Sequence, residues 1–441
     1  MASSFARADF TYQVNTTADL IDDNPDDGVC HTSANTCSLR AAIMQANHLT
    51  TAAPTSIFLP AGFYAITRPI NGVNGEDNGD FNLTQPNTVN QFIAIFGAGA
   101  TKTVIDGNQV DGIFNIDPSR SAGFADLRIR NGRRQGGGSG GGIRNRGSMV
   151  IQDCVVEDNF TATGGGGIYN EGLLNIIRST IAGNTASING GGIYSSGTLA
   201  VFDSTIKANF ALENFGQGGG LYLSGPSTIK RSSIFANVAN NGGGLLTINQ
   251  LTLVSSTVSY NKADRDGGGL FNFGNSFLYS STLVGNYADF NGQTGGKGGG
   301  ILADTTSGHR LVAVNTLIAS NTLRSLPIYS DCNGTLEAYG FNRLSDISGC
   351  TFTGNGGAAI GFVTRASVGP LADNGGPTLT NALLTGSQAI DSTTAQGCID
   401  DTLALLATDQ RGAARIAGLR CDVGAYEYGS VVDTIFKNGF D

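Results

Sequence analysis

Three tyrosines recur at matching places along this sequence. Tyr169, Tyr194 and Tyr222 each follow an apolar residue that closes a glycine triplet, as in Gly165-Gly166-Gly167-Ile168-Tyr169. The same slot holds Arg144 upstream and Leu246, Phe271 and Leu302 downstream; two residues further on stand Arg146, Glu171, Ser196, Ser224, Ile248, Phe273 and Asp304. A tyrosine stripe offers flat faces for the C–H surfaces of sugar rings, with the phenol hydroxyl free to hydrogen-bond. The Arg144 and Arg146 guanidiniums suit a carboxylate or sulfate. A cation beside a tyrosine base is the equipment of β-elimination on a uronate, where charge is neutralised and a proton abstracted. Tyr169 and Arg144 are therefore the catalytic candidates, and Tyr194, Tyr222, Arg146, Glu171 and Phe271 the substrate-binding ones. The plain alternative is that the aromatic residues only pack on one another or under a covering segment.

Other carboxylates offer less. Hydrolysis of a glycosidic bond needs two acids roughly 5–10 Å apart. Asp153 and Asp203 share one slot two repeats apart, a place that reads as solvated strand. Asp264, Asp266 and Asp289 fall in neighbouring corner loops, suited to a cation or to nothing. The acidic loop Asp22 to Gly28 could hold Ca²⁺ through Asp22, Asp23 and Asp26, although it lacks the closing Glu of an EF-hand. Gly137-Gly138-Ser139-Gly140-Gly141 fits a nucleophile motif in letters but has no strand-to-helix elbow. Gly296-Lys297-Gly298 lacks the Ser/Thr of a phosphate loop.

These residues sit on a repeat. The triplets beginning at Gly140, Gly165, Gly190, Gly218, Gly242, Gly267 and Gly298 are each followed by Ile or Leu, at steps of 25, 25, 28, 24, 25 and 31 residues. A fixed step in this range marks a repeat architecture. Between triplets runs a second phrase, as in Ser179-Thr180-Ile181-Ala182-Gly183-Asn184, whose alternation reads as strand. Short strands with Gly and Asn corners make one coil of a parallel β-helix, and coils stack about 4.8 Å apart. Handedness follows the right-handed rule for parallel crossovers. The Ile or Leu after each triplet should point inward. Asn159, Asn184, Asn209, Asn237, Asn261, Asn286 and Asn321 should form a hydrogen-bonded ladder. The row Thr180, Thr205, Thr257 and Thr282 should face out.

Composition narrows the partners. The net charge is −9 with a pI near 4.8, which excludes the basic face of a nucleic-acid binder. Three His in all leave no multi-His metal centre. No apolar run approaches the roughly 20 residues of a membrane span. The seven Cys predict disulfides Cys30–Cys37, Cys332–Cys350 and Cys398–Cys421, with Cys154 a buried free thiol, and so an oxidising compartment. No signal peptide is visible at Met1-Ala2-Ser3-Ser4, so a mature form without its leader is expected.

The fold expected is all-β: a right-handed parallel β-helix with an N-terminal helix-bearing cap and a disulfide-containing C-terminal region. The expected organisation is a cap over 1–70, coils over 71–325, terminal coils and a C-terminal domain over 326–430, and a tail over 431–441. In the cap, Ser38 should N-cap a helix running to Asn47. Such a helix covers the open end of the solenoid.

Two segments carry resemblances. Cys37-Ser38-Leu39-Arg40-Ala41-Ala42-Ile43, with Leu59-Pro60-Ala61-Gly62, resembles the "CSLREA" N-terminal module of bacterial exported β-helix proteins, with Ala41 where that family has Glu. Gly369-Pro370-Leu371-Ala372-Asp373-Asn374-Gly375-Gly376-Pro377, then Asp409-Gln410-Arg411-Gly412 and Cys421-Asp422-Val423-Gly424-Ala425-Tyr426-Glu427, resembles the "choice-of-anchor" domain of bacterial surface proteins. The coils also resemble polymorphic outer-membrane passenger repeats. These resemblances imply a secreted or outer-cell-surface protein whose partner is an extracellular polysaccharide or a host or cell-surface component. Two functions follow as expectations. One is engagement of an extended polysaccharide along the aromatic face, with a polysaccharide lyase (or a glycoside hydrolase) as its enzymatic form. The other is a non-catalytic surface adhesin.

Overall fold

The computed structural model describes residues 9–70, 75–84, 91–134, 137–292, 295–304, 308–324, 328–355, 359–394 and 397–432; the expected tail falls largely outside them. The chain divides into two compact units, Met1–Leu199 and Ala200–Asp441. Each is a run of stacked parallel strands, and the architecture is the expected right-handed parallel β-helix. No helix among the described residues is long and apolar enough to cross a membrane.

In the first unit four strand rows repeat. The row after the glycine triplets comprises Phe114–Ile116, Ile143–Asn145, Ile168–Asn170 and Ile193–Ser195, all parallel and in register. A longer row follows, with Ser148–Gln152 on Leu173–Ile177. A third pairs Val155–Glu157 with Thr180–Ala182, and a fourth Phe160–Thr161 with Thr185–Ala186. Phe114, Ile143, Ile168 and Ile193 form one interior column, each 0% exposed. In the second unit Leu221, Leu245, Leu270 and Ile301 do the same.

The triplet is glycine for three separate reasons. Gly140 has φ +80°, in the left-handed region. A Cβ on Gly141 would come within 2.5 Å of the Gly166 carbonyl of the next coil. A Cβ on Gly142 would meet the Asn159 side chain at 2.9 Å. That asparagine belongs to the expected ladder. Asn159 Nδ2 donates to Asn184 Oδ1 at 2.9 Å, and its Oδ1 accepts from the Gly132 amide. In the second unit Asn209, Asn237, Asn261, Asn286 and Asn321 continue the pattern at 2.9–3.0 Å per step. The ladder ends on Asp331, buried, whose carboxylate takes Asn321 on one oxygen and Ser345 and the Asp346 amide on the other.

The cap helix spans Leu39–His48, and the Ser38 hydroxyl accepts from the Ala41 amide as expected. Its polar residues face inward. Arg40, 1% exposed, pairs with Asp19 and donates to the Gly79 carbonyl. Asn47 donates to the Asn82 carbonyl and accepts from Thr84. All three disulfides form as expected, and Cys154 is buried and free. Burial pushes its thiol up to about 12, so it is inert packing rather than a nucleophile.

Two expectations are corrected. Within the second unit the threonine row does not face solvent throughout, because the C-terminal segment lies on it. Thr257 Oγ1 donates to Gln410 Oε1 at 2.6 Å, and Thr282 Oγ1 accepts from the Ala425 amide at 2.9 Å. Val284, Leu317, Val363, Leu383 and Val423 close an apolar cluster there. Asp153 and Asp203 are not strand residues. Both adopt φ +52° at a corner, where each grips an arginine one coil on: Asp153 with Arg178, Asp203 with Arg231, through two contacts of 2.6–2.8 Å.

Candidate functional site

In the first unit, strand pleat turns Arg144, Tyr169 and Tyr194 outward, since their neighbours Ile143, Ile168 and Ile193 fill the core. Register places Arg144 beside Tyr169 and Tyr169 beside Tyr194. The two phenol rings stack with centroids 4.7 Å apart and planes 9° from parallel, both half-buried. Glu171 turns back to Arg144, at 3.3 and 3.2 Å from its Nε and Nη2. Arg146 pairs with Asp117 at 2.5 Å. The two expected anion-binding guanidiniums are thus each balanced by a carboxylate of the chain. Those pairs are partly exposed, so a polyanion can exchange with them at small cost.

The electrostatics bear on the role of Tyr169. Burial, then the Glu171 charge and Tyr194, push its hydroxyl above the usual phenol range. Proton abstraction asks for the opposite shift. The two rings present a flat aromatic face.

In the second unit the same slot carries Tyr222, Leu246, Phe271 and Leu302 in register, followed by Asn333. Leu246 and Phe271 are buried, at 1% and 7% exposure, so that part of the row is floor rather than stripe. Phe271 packs against Phe273 with ring centroids 4.2 Å apart. Above it opens a groove of about 510 Å³, lined by Phe271, Leu302 and Asn333 with Arg265, Asp266, Lys297 and Asp304. Arg265 reaches Asp266 at 3.2 Å and is more than half exposed. The Lys297 backbone amide is held by Asp266 at 2.9 Å. The groove therefore presents two cations and two carboxylates over an aromatic floor.

Sequence reasoning had Phe271 but missed Arg265, Lys297 and Asn333. The available signal was the 31-residue step between Gly267 and Gly298, the longest of the set, with Lys297 interrupting a glycine run. Of the three loop acids, Asp266 lines the groove, while Asp289 is 2% exposed in a left-handed corner.

The acidic loop is arranged differently from expectation. Asp23 pairs with His31 and Asp26 with His48, both at 2.8 Å, whereas Asp22 is buried against backbone amides and Gln45. Among the described residues no three His, Cys, Asp or Glu side chains converge as a metal-holding group.

Comparison with known proteins agrees on architecture. The chain matches the crystal structure of pectate lyase Pel9A over 96% of its own length and 97% of that chain, with TM-score 0.55 and 15% identity. At that identity the likeness is one of fold. A PL6 family alginate lyase, AlyGC, overlaps 74% of this chain and 52% of its own, with TM-score 0.30 and 11% identity, too loosely to support an argument. Residues 178–196 match the Chlamydia polymorphic membrane protein repeat. No curated protein matches the chain.

Proposed function

We propose that this chain is a secreted or surface-exposed β-helix that engages an extended acidic polysaccharide through the outward face of the strand row after the glycine triplets. The observation that carries this reading is the parallel Tyr169–Tyr194 platform beside Arg144. Sugar rings stack on such a surface while the guanidinium meets a uronate carboxylate. The Phe271 groove repeats the same ingredients, with Arg265 and Lys297 as its cations. Its cations suit the charge-neutralising half of β-elimination: a guanidinium or ammonium beside a uronate carboxylate offsets its charge and so acidifies the proton on the adjacent carbon. The three disulfides fit an oxidising compartment. The Cys37–Ile43 and Gly369–Glu427 resemblances fit export to a surface.

A non-catalytic adhesin is the second reading, favoured by the repeat match over residues 178–196. Incubation with a panel of uronic-acid polysaccharides, followed by enoate absorbance, separates the two. A rise abolished by Lys297→Ala or Arg144→Ala establishes a lyase. Binding without turnover on any member of the panel establishes the adhesin, and neither binding nor turnover overturns the proposal.

A further inference from the structure

In the second unit the strands Asn275–Tyr279, Leu311–Val314 and Cys332–Tyr339 run parallel and in register. Leu278, Ala313 and Ala338 point into the core, each 0% exposed, so their strand neighbours face outward. Coil by coil, the outward pairs are Phe277 with Tyr279, Val312 with Val314, and Glu337 with Tyr339. Two small side chains thus stand between two larger pairs. The result is a cleft of about 380 Å³ with the valines as its floor. Phe277 and Tyr279 form one side and Tyr339 the other, while Ile399 and Leu403 of the C-terminal segment cover it. The cover is fixed. Asn315 Nδ2 donates to the Gly397 carbonyl at 2.9 Å, Lys230 meets Asp401 at 2.6 Å, and Cys398 is bonded to Cys421.

Width and chemistry select what enters. Coils stack about 4.8 Å apart, so walls two coils apart are separated by about 9.6 Å. A flat ring touching both walls needs about 3.5–4 Å on each side, about 7–8 Å in all. One ring therefore fits, with its edges on the valines and on Ile399 and Leu403. A sugar ring would turn hydroxyls onto those apolar edges and leave them unpaired, which is costly. The C–H edge of an aromatic ring loses nothing there. The polar groups within reach are mostly taken. Glu337 receives Arg310 Nε and Nη2 at 2.7 and 2.8 Å and the Tyr339 hydroxyl at 2.6 Å. Asn315 is bonded at both ends of its amide, to the Gly397 carbonyl and from the Phe341 amide. Tyr279 differs: it is 9% exposed, lines the cleft, and has no hydroxyl partner among the described residues. A buried phenol normally finds one. Charge discriminates as well. Arg310, the cation of the described lining, is balanced by Glu337. Burial, then Asp401 and Asp400, raise the Tyr279 hydroxyl, so an anion entering here would meet negative charge.

We propose that this cleft binds one neutral phenolic ring, stacked between Tyr279 and Tyr339, with its oxygen hydrogen-bonded to the Tyr279 hydroxyl. The ligand is an uncharged aryl compound, a class apart from the acidic polysaccharide proposed for the Tyr169 platform and the Phe271 groove. The cleft lies on a different strand row from both, so it does not depend on that reading.

Calorimetric titration of the full chain with p-cresol, toluene and methyl glucoside tests the site. One p-cresol per chain is expected, bound about fivefold more tightly than toluene, the worth of one hydrogen bond. The glucoside should give no heat. Tyr279→Phe should erase the preference for p-cresol over toluene. Val314→Phe places in the floor an aromatic ring of the kind Tyr279 supplies in the same column. It should abolish binding of both aryl compounds while the thermal midpoint holds. No p-cresol binding to the folded wild type would overturn the proposal. So would glucoside binding of equal strength, p-cresol binding that survives Val314→Phe, or a p-cresol preference unchanged in Tyr279→Phe. Polyuronate titrated into the same variants reads the polysaccharide proposal separately, and its affinity should not move.

Discussion

Thr180 and Thr282 occupy the same slot of the same repeat, yet one is half-exposed and the other is 1% exposed. In the first unit the third strand row keeps surface character: Arg128 and Glu157 pair across it, partly exposed. In the second unit the row is a docking strip. Ser233 donates to the Leu379 carbonyl, Thr257 to Gln410, and Thr282 accepts from Ala425. The repeat sets which way a side chain points; a distant segment decides whether it meets water. The motif residues of that segment are its internal frame. Asp409 receives Arg411 and the amides of Ala413 and Glu427, while Arg411 lies over Tyr426 at 3.8 Å.

The contrast can be broken most forcefully at that frame. Arg411→Ala leaves the Asp409 carboxylate, 0% exposed on its side chain, without its cation. Removing one partner of a buried pair costs about 3–5 kcal/mol. Urea unfolding should show that loss, whereas Arg178→Ala at the exposed Asp153 pair should shift stability by less than about 1 kcal/mol. Next comes the ladder, which neither covering nor exposure should modulate. Asn261→Ala strips partners from the Asn237 amide and from the Asn286 side chain, all buried. It should cost about 3 kcal/mol, and Asn159→Ala in the other unit a similar amount. A smaller and sharper test is Thr→Val in the shared slot. Thr282→Val orphans the Ala425 amide and should cost about 1–2 kcal/mol, while Thr180→Val should stay within about 0.5 kcal/mol.

A pH dependence within the covering segment separates the two units in another way. Burial raises Glu427 to about 7, against two amide donors. A carboxyl whose folded value lies above its unfolded one binds its proton more tightly when folded. Its contribution is therefore full below the ordinary carboxylate range and is lost as pH rises through about 7. Wild type compared with Glu427→Gln by denaturant midpoint from pH 4 to 8 should diverge in that window. A constant difference across it would remove Glu427 as the cause.

Much of this was legible in residues. The glycine steps, the asparagine ladder, the inward Ile/Leu column, the helix with its Ser38 cap and the three disulfides follow from local chemistry and period. What spacing does not encode is which faces the C-terminal segment covers, because that contact joins residues such as Ser233 and Gln410, 177 positions apart. For the same reason the outward slot reads as one continuous stripe, whereas Leu246 and Phe271 are floor and the cations of the groove come from Arg265 and Lys297. The buried carboxylate of Asp331 was equally hidden, since it ends the ladder from outside the Asn phrase.

The half-buried Tyr169–Tyr194 platform is the point on which the functional account rests, and calorimetric titration with a polyuronate addresses it most directly. The account predicts saturable binding to the acidic polymer, weakened about tenfold, near 1.4 kcal/mol, by Tyr169→Ala or Tyr194→Ala and unaffected by Thr180→Val. It also predicts little affinity for a neutral glucan of equal length. Equal affinity for both polymers, or acidic-polymer binding that survives loss of both tyrosines, would contradict it.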